Sequence, residues 1–189
     1  MRLFDGTVAN VKAIRIAVLG TDCAIGKRTT ATLLAKALNA QGIKTILIGT
    51  GQTGLMQGAR YGIAMDALPP QFCCGELEGA IISASNNEQP DVILIEGQGA
   101  LSHPAFCTSA FILRGSQPHA VILQHAPKRI FRCDFPQMPM PDLSAEISLI
   151  EAFSSAKVIG LTINHEEMTD FEIDKTIAAY SFNFSLPVS

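Results

Sequence analysis

The stretch Ile14-Arg15-Ile16-Ala17-Val18-Leu19-Gly20-Thr21-Asp22-Cys23-Ala24-Ile25-Gly26-Lys27-Arg28-Thr29-Thr30 decides how the rest of the chain is read. Ile14 to Leu19 is a short apolar run rich in β-branched residues that halts at Gly20, which is the pattern of a buried strand. From Lys27 to Ala40, Leu33, Leu34, Ala37 and Leu38 recur at helical spacing, and Gly42 is placed to stop that helix. Unpaired N–H groups at a helix start, reinforced by the helix dipole, attract an anion. Gly26 lets backbone approach that anion, and Lys27 adds a point charge. Strand, loop, Gly-Lys and helix in this order predict a phosphate-binding loop of the P-loop type over Gly20 to Thr30.

One position departs from the standard pattern. Ser or Thr normally follows the lysine and places its hydroxyl on Mg²⁺. Here Arg28 follows Lys27, and Thr29 stands one residue further on, roughly 100° around the helix. Phosphoryl transfer leans on that metal to neutralise developing charge. The sequence therefore favours holding phosphates over reacting at them, and no metal is expected; Thr29 and Glu96 are the ligands if Mg²⁺ is used.

Working outward, Thr45 to Ile48, Val92 to Ile95, Ala120 to Leu123 and Val158 to Ile163 read as further strands. Helices are expected over 76–85, broken by Asn86, Asn87 and Pro90, and over 143–153 and 170–180. Strands alternating with helices predict an α/β fold: a P-loop NTPase-like, three-layer arrangement with a mostly parallel sheet covered by helices on both faces. Ligands then lie beyond the carboxyl ends of the strands. That singles out loops 20–29, 49–58, 96–104 and 124–142, the last with Pro127, Pro136, Pro139 and Pro141 and read as a lid or substrate loop.

The length of 189 residues fits one domain, and 48% hydrophobic against 16% charged residues supplies a large core. A net charge of -3 without a basic cluster argues against nucleic acid as a partner. No apolar run is long enough for a membrane span and Met1 to Asn10 is not signal-like, so a cytoplasmic protein is expected. The cysteines (Cys23, Cys73, Cys74, Cys107, Cys133) lack zinc-site spacing and are expected to be reduced and mostly buried, Cys23 excepted.

The combination of Gly20-Thr21-Asp22, Gly26-Lys27 and Glu96-Gly97 resembles the dethiobiotin synthetase branch of P-loop enzymes, with Asp22 where MinD-like ATPases carry a second lysine. A closer resemblance covers almost the whole chain. Gly49-Thr50-Gly51-Gln52-Thr53-Gly54, Glu96-Gly97-Gln98-Gly99, His103-Pro104 and Gly115-Ser116-Gln117-Pro118 occur in order. With Thr29-Thr30 after a non-hydroxyl residue, they look like the bacterial D-glutamate N-acetyltransferase family, long catalogued as a domain of unknown function. The resemblance implies an acetyl-CoA-dependent N-acetyltransferase whose loop, Gly20 to Thr30, holds the phosphates of coenzyme A. Family members usually carry a further N-terminal α/β domain, so this chain is expected to correspond to the C-terminal P-loop half. A homo-oligomer is compatible with that expectation.

Acetyl transfer needs a base near the amine and donors facing the oxyanion. Glu96 and His103 are the catalytic candidates, with the backbone of Gly97 to Gly99 for the oxyanion. Gln52, Thr53, Gln98, Arg114, Gln117 and His125 are the candidates for contact with a small amino-acid substrate. Arg60, Arg129 and Arg132 join Arg114 as possible partners of substrate carboxylates, for which guanidinium geometry is suited. Two other classes stay open: an ATP- and Mg²⁺-dependent ligase or kinase of the dethiobiotin synthetase type, and a nucleotide-binding module without catalysis.

Overall fold

The fold is described for residues 1–189 by a computed structural model. In chain order its first elements are β1 (Ile14–Gly20), α1 (Lys27–Ala40), β2 (Thr45–Gly49), α2 (Gln52–Met56) and β3 (Tyr61–Gly62). Then come α3 (Pro70–Glu88), β4 (Val92–Glu96), α4 (Thr108–Ser116), β5 (Ala120–His125), β6 (Phe131–Arg132) and β7 (Phe135–Pro139). The chain ends with α5 (Leu143–Phe153), β8 (Lys157–Ile163) and α6 (Asp170–Phe184).

A six-stranded sheet runs β3-β2-β4-β1-β5-β8, and every pairing in it is parallel. The chain moves one way across the sheet from β1 to β2, then back the other way from β3 through β4 and β5 to β8. Right-handed crossovers therefore put α1 on one face and α3, α4 and α5 on the other. That explains why β4 is buried at all five positions: both of its faces are covered. The α/β, P-loop-like architecture expected from the alternation is present.

Register fixes the site. Val18 lies opposite Glu96, Gly20 opposite Gln124, and Ile48 opposite Ile95, so β1, β2, β4 and β5 end at one rim. The phosphate loop leaves that rim from the sheet's interior.

Several local expectations change. α3 starts at Pro70, where proline's fixed φ suits a first helical turn, and runs on through Asn86 and Asn87 to Glu88, ending on left-handed Gln89. The region 124–142 is not a plain loop but holds the β6–β7 antiparallel ribbon. All five cysteines are free, yet only Cys73 is buried and Cys107 is exposed, so the set is less enclosed than expected. No helix is long and apolar enough to cross a membrane.

Candidate functional site

The loop between β1 and α1 is held open from behind. Gly26 takes φ 100°, a left-handed conformation that side chains resist, and this turns the chain into α1. Among backbone and side-chain hydrogen bonds, the amides from Cys23 through Thr29 donate to no protein acceptor. Such orphan donors at a helix start are what an anion satisfies. Lys27 is only 6% exposed, and its Nζ donates to the backbone oxygen of Asp22. Burial pulls its pKa down to about 8, against the opposing pull of Cys23, Asp22 and Glu96.

Arg129 clamps the loop. Its Nη1 donates to Asp22 Oδ2 at 3.1 Å and to the Cys23 oxygen at 2.8 Å, while Glu166 takes the fork from the other side at 2.9 and 3.1 Å. The Cys133 amide donates to the same Asp22 oxygen at 2.7 Å, tying the loop to the β6–β7 ribbon. Asn164 holds the Ile25 oxygen at 3.1 Å.

On the other side of the loop, Arg28 Nε donates to Glu96 Oε1 at 2.6 Å, and the Glu96 side chain is 3% exposed. Glu96 Oε2 accepts the Thr50 amide at 3.2 Å, and the Thr50 hydroxyl donates to the Glu96 backbone oxygen at 2.9 Å. Gln98 Nε2 donates to the Thr50 oxygen at 2.6 Å. The loop after β2 comes this close because Gly54 has no side chain: a Cβ there would lie 2.5 Å from Glu96 Oε2. Together these loops line a cleft of about 660 Å³ that includes residues 23–29, Gln52, Thr53, Glu96 and Gln98. Thr29 is exposed in it, whereas Glu96 is turned to Arg28.

His103 is elsewhere. Its side chain is fully enclosed, with Phe106 and Phe135 at ring distances of 4.7 and 5.2 Å. Burial lowers its pKa, and Arg132 lowers it further. Nδ1 accepts from the Ala105 amide at 3.1 Å, so the ring proton belongs on Nε2, which faces Asp22 Oδ1 at 3.8 Å. Asp22, Cys23 and His103 offer atoms within 4.8 Å of one another, but the imidazole presents a donor rather than a lone pair to that point. His125 Nδ1 pairs with the Thr21 hydroxyl at 2.8 Å, and burial lowers its pKa to about 4.

The structure thus brings residues 23–29, Gln52, Thr53, Glu96 and Gln98 to one cleft. His125 supports the loop from within through Thr21, and His103 is enclosed behind Asp22 without a hydrogen bond to it. Arg114 and Gln117 are not brought to it: they lie at the end of α4, where β5 begins, on the opposite rim of the sheet. Gln117 takes a left-handed φ of 41° to end α4, and Ser116 and Gln117 give their backbone oxygens to buried Arg15 at 2.9 and 3.2 Å. Arg114 stacks 4.9 Å over Phe153, and Arg60 pairs with Glu88. Arg132 reaches Ser102 at 2.9 Å. Sequence reasoning missed Glu146, whose Oε1 accepts the Leu101 amide at 2.8 Å and so fixes the turn after β4. Its partner lies 45 residues away, and no local pattern marks it.

Comparison with known proteins agrees with this geometry. The model for a domain of unknown function, the DUF1611 P-loop domain, matches residues 2–189. A D-glutamate N-acetyltransferase of a Pseudoalteromonas species is 31% identical over 182 residues, covering 93% of this chain and 54% of that protein. A DUF1611 family protein from Anabaena variabilis, known from its crystal structure, superposes at a TM-score of 0.94 with 30% identity, over 100% of this chain and 56% of that one. A nucleotide-binding protein from Archaeoglobus fulgidus, solved in complex with ADP, shares the fold at a TM-score of 0.64 and 16% identity, over 99% of this chain and 85% of that one. The chain spans about half the length of the curated relative it matches. From its phosphate loop to its sheet order, the chain belongs to the DUF1611 family and carries that family's P-loop domain.

Proposed function

We propose that this domain binds acetyl-CoA by its phosphates and serves an N-acetyltransferase acting on an acidic amino acid, D-glutamate being the substrate named for a relative at 31% identity. The observation that carries the reading is the Arg28–Glu96 pair at 2.6 Å. In nucleotide-hydrolysing P-loop proteins the residue after the lysine and an acid at a neighbouring strand end act together on Mg²⁺. Here those two positions hold opposite charges that neutralise each other. The orphan amides from Cys23 to Thr29 and the buried Lys27 still suit a pyrophosphate. When bound, acetyl-CoA supplies an activated thioester, which requires no phosphate chemistry from the loop.

In this reading Lys27 and the loop amides bind phosphate, Glu96 fixes Arg28 and the Thr50 turn, and Arg129 and the Cys133 amide hold Asp22 in place. Gln52, Thr53 and Gln98 border the ligand. The greater length of the relatives supports a further domain completing the amino-acid site. A metal–nucleotide reading retains Thr29, whose side chain is exposed in the cleft.

Calorimetric titration of wild type and Lys27→Ala tests the proposal. Acetyl-CoA should bind wild type and lose about tenfold or more in affinity in Lys27→Ala, since hydrogen bonds to charged groups contribute about 1.5–3 kcal/mol. ATP binding that needs Mg²⁺, with no affinity for acetyl-CoA, would overturn it.

A further inference from the structure

Arg28 and Glu96 form a wall between two cavities. One is the phosphate cleft; the other is a groove of about 510 Å³ between α1 and the segment from Gly54 to Tyr61. Its charged lining is Arg28, Lys36, Arg60 and Glu96. Glu96 is already paired, with Arg28 Nε on one oxygen and the Thr50 amide on the other. Arg28 uses only Nε within the protein, so both terminal nitrogens of its fork are unengaged. Lys36 forms no ion pair, and Arg60 commits a single nitrogen to Glu88. Lys36 is therefore the unpaired cation of the groove, Arg28 and Arg60 keep free N–H donors beside it, and Thr32 adds a hydroxyl on the same side of α1.

We infer that this groove is a second phosphate subsite, which takes the 3′-phosphate monoester of a coenzyme A whose pyrophosphate occupies the loop. The inference rests on the acetyl-CoA reading above and adds the feature that separates coenzyme A from ADP or ATP. The two sites are contiguous through Arg28, which lines both cavities, and coenzyme A carries a 3′-phosphate monoester and a 5′-pyrophosphate on one ribose. A phosphate monoester suits a guanidinium fork, which binds it bidentately, together with an ammonium point charge. ADP has no group to place in the groove.

The test compares coenzyme A with 3′-dephospho-coenzyme A by calorimetry, on wild type, Lys36→Gln and Arg60→Gln. Wild type is expected to favour coenzyme A by about tenfold or more. Each substitution should shrink that preference, the pair together bringing it to within about twofold, while affinity for the dephospho form stays at the wild-type value. That last arm also reports that the variants are folded. Equal affinities for both ligands in wild type overturn the subsite and leave the acetyl-CoA reading standing. A preference that survives both substitutions also overturns it. Failure of both ligands to bind overturns the coenzyme A reading and the subsite with it.

Discussion

Arg28 Nε and Glu96 Oε1 stand 2.6 Å apart, joining the residue after the loop lysine to the acid that ends a neighbouring strand. Glu96 is 3% exposed and Arg28 35%, so the carboxylate has little water to fall back on. Arg28→Ala should leave that charge buried without its partner and destabilise the fold by about 1–3 kcal/mol, below the range for fully buried pairs because Arg28 is partly solvated. Arg28→Ala combined with Glu96→Gln should cost less than the sum of the two single changes. Urea denaturation of the four proteins measures the coupling. Strict additivity would mean the pair is not formed in solution.

Lys27 carries a pH signature. Its pKa in the free loop is lowered to about 8, and an anion bound beside it raises that value again. Phosphate-ligand affinity should therefore be level up to about pH 7 and weaken as pH rises through 8. Above that point the loss approaches tenfold per pH unit until the pKa of the bound state is reached. Titrations from pH 6.5 to 9.5 check this, and Lys27→Ala should abolish the slope.

His125 should make stability fall on the acid side. Its folded pKa is lowered from 6.5 to about 4, so the folded state resists a proton that the unfolded chain accepts. The stabilisation is complete above pH 6.5 and is lost as pH falls from there to 4. It amounts to about 3 kcal/mol, since each tenfold difference in proton affinity between the two states is worth about 1.4 kcal/mol. His125→Phe should flatten the difference between denaturation midpoints at pH 7 and pH 4.5 that belongs to this residue.

Arg129 bonds to Asp22 and to the oxygen of Cys23, and pairs with Glu166. Arg129→Ala should free the loop and lower phosphate-ligand affinity by about tenfold, through about 1–3 kcal/mol of unsatisfied polar groups. Amide exchange at Cys133, whose N–H donates to Asp22 Oδ2 at 2.7 Å, should speed up in the variant. Unchanged exchange there would show that the loop holds its own shape.

What is local is legible in the sequence. Val92 to Ile95 is a continuous apolar run because both faces of β4 are covered, and that signal survives in any window. The loop between β1 and α1 is legible because an apolar strand, glycines and a following helix announce it locally. β3 has only two residues, and the β6–β7 ribbon carries Pro136 and Pro139, so neither shows alternation. The site's supports are harder to see. Arg129 meets Asp22 across 107 residues and Arg28 meets Glu96 across 68, so each looks like an ordinary charge until the sheet is assembled. Gly115-Ser116-Gln117-Pro118 joins the site by resemblance alone, whereas its geometry closes α4 and holds Arg15 at the opposite rim.

A loop that holds phosphates while Arg28 and Glu96 neutralise the Mg²⁺ position should bind its ligand without the metal. Acetyl-CoA affinity measured in excess chelator and again in excess Mg²⁺, with ATP run in parallel, tests this most directly. Acetyl-CoA binding should be the same in both conditions within about twofold, and ATP binding should gain nothing from the metal. ATP binding that appears only with Mg²⁺, together with acetyl-CoA binding no tighter than to Lys27→Ala, would contradict it.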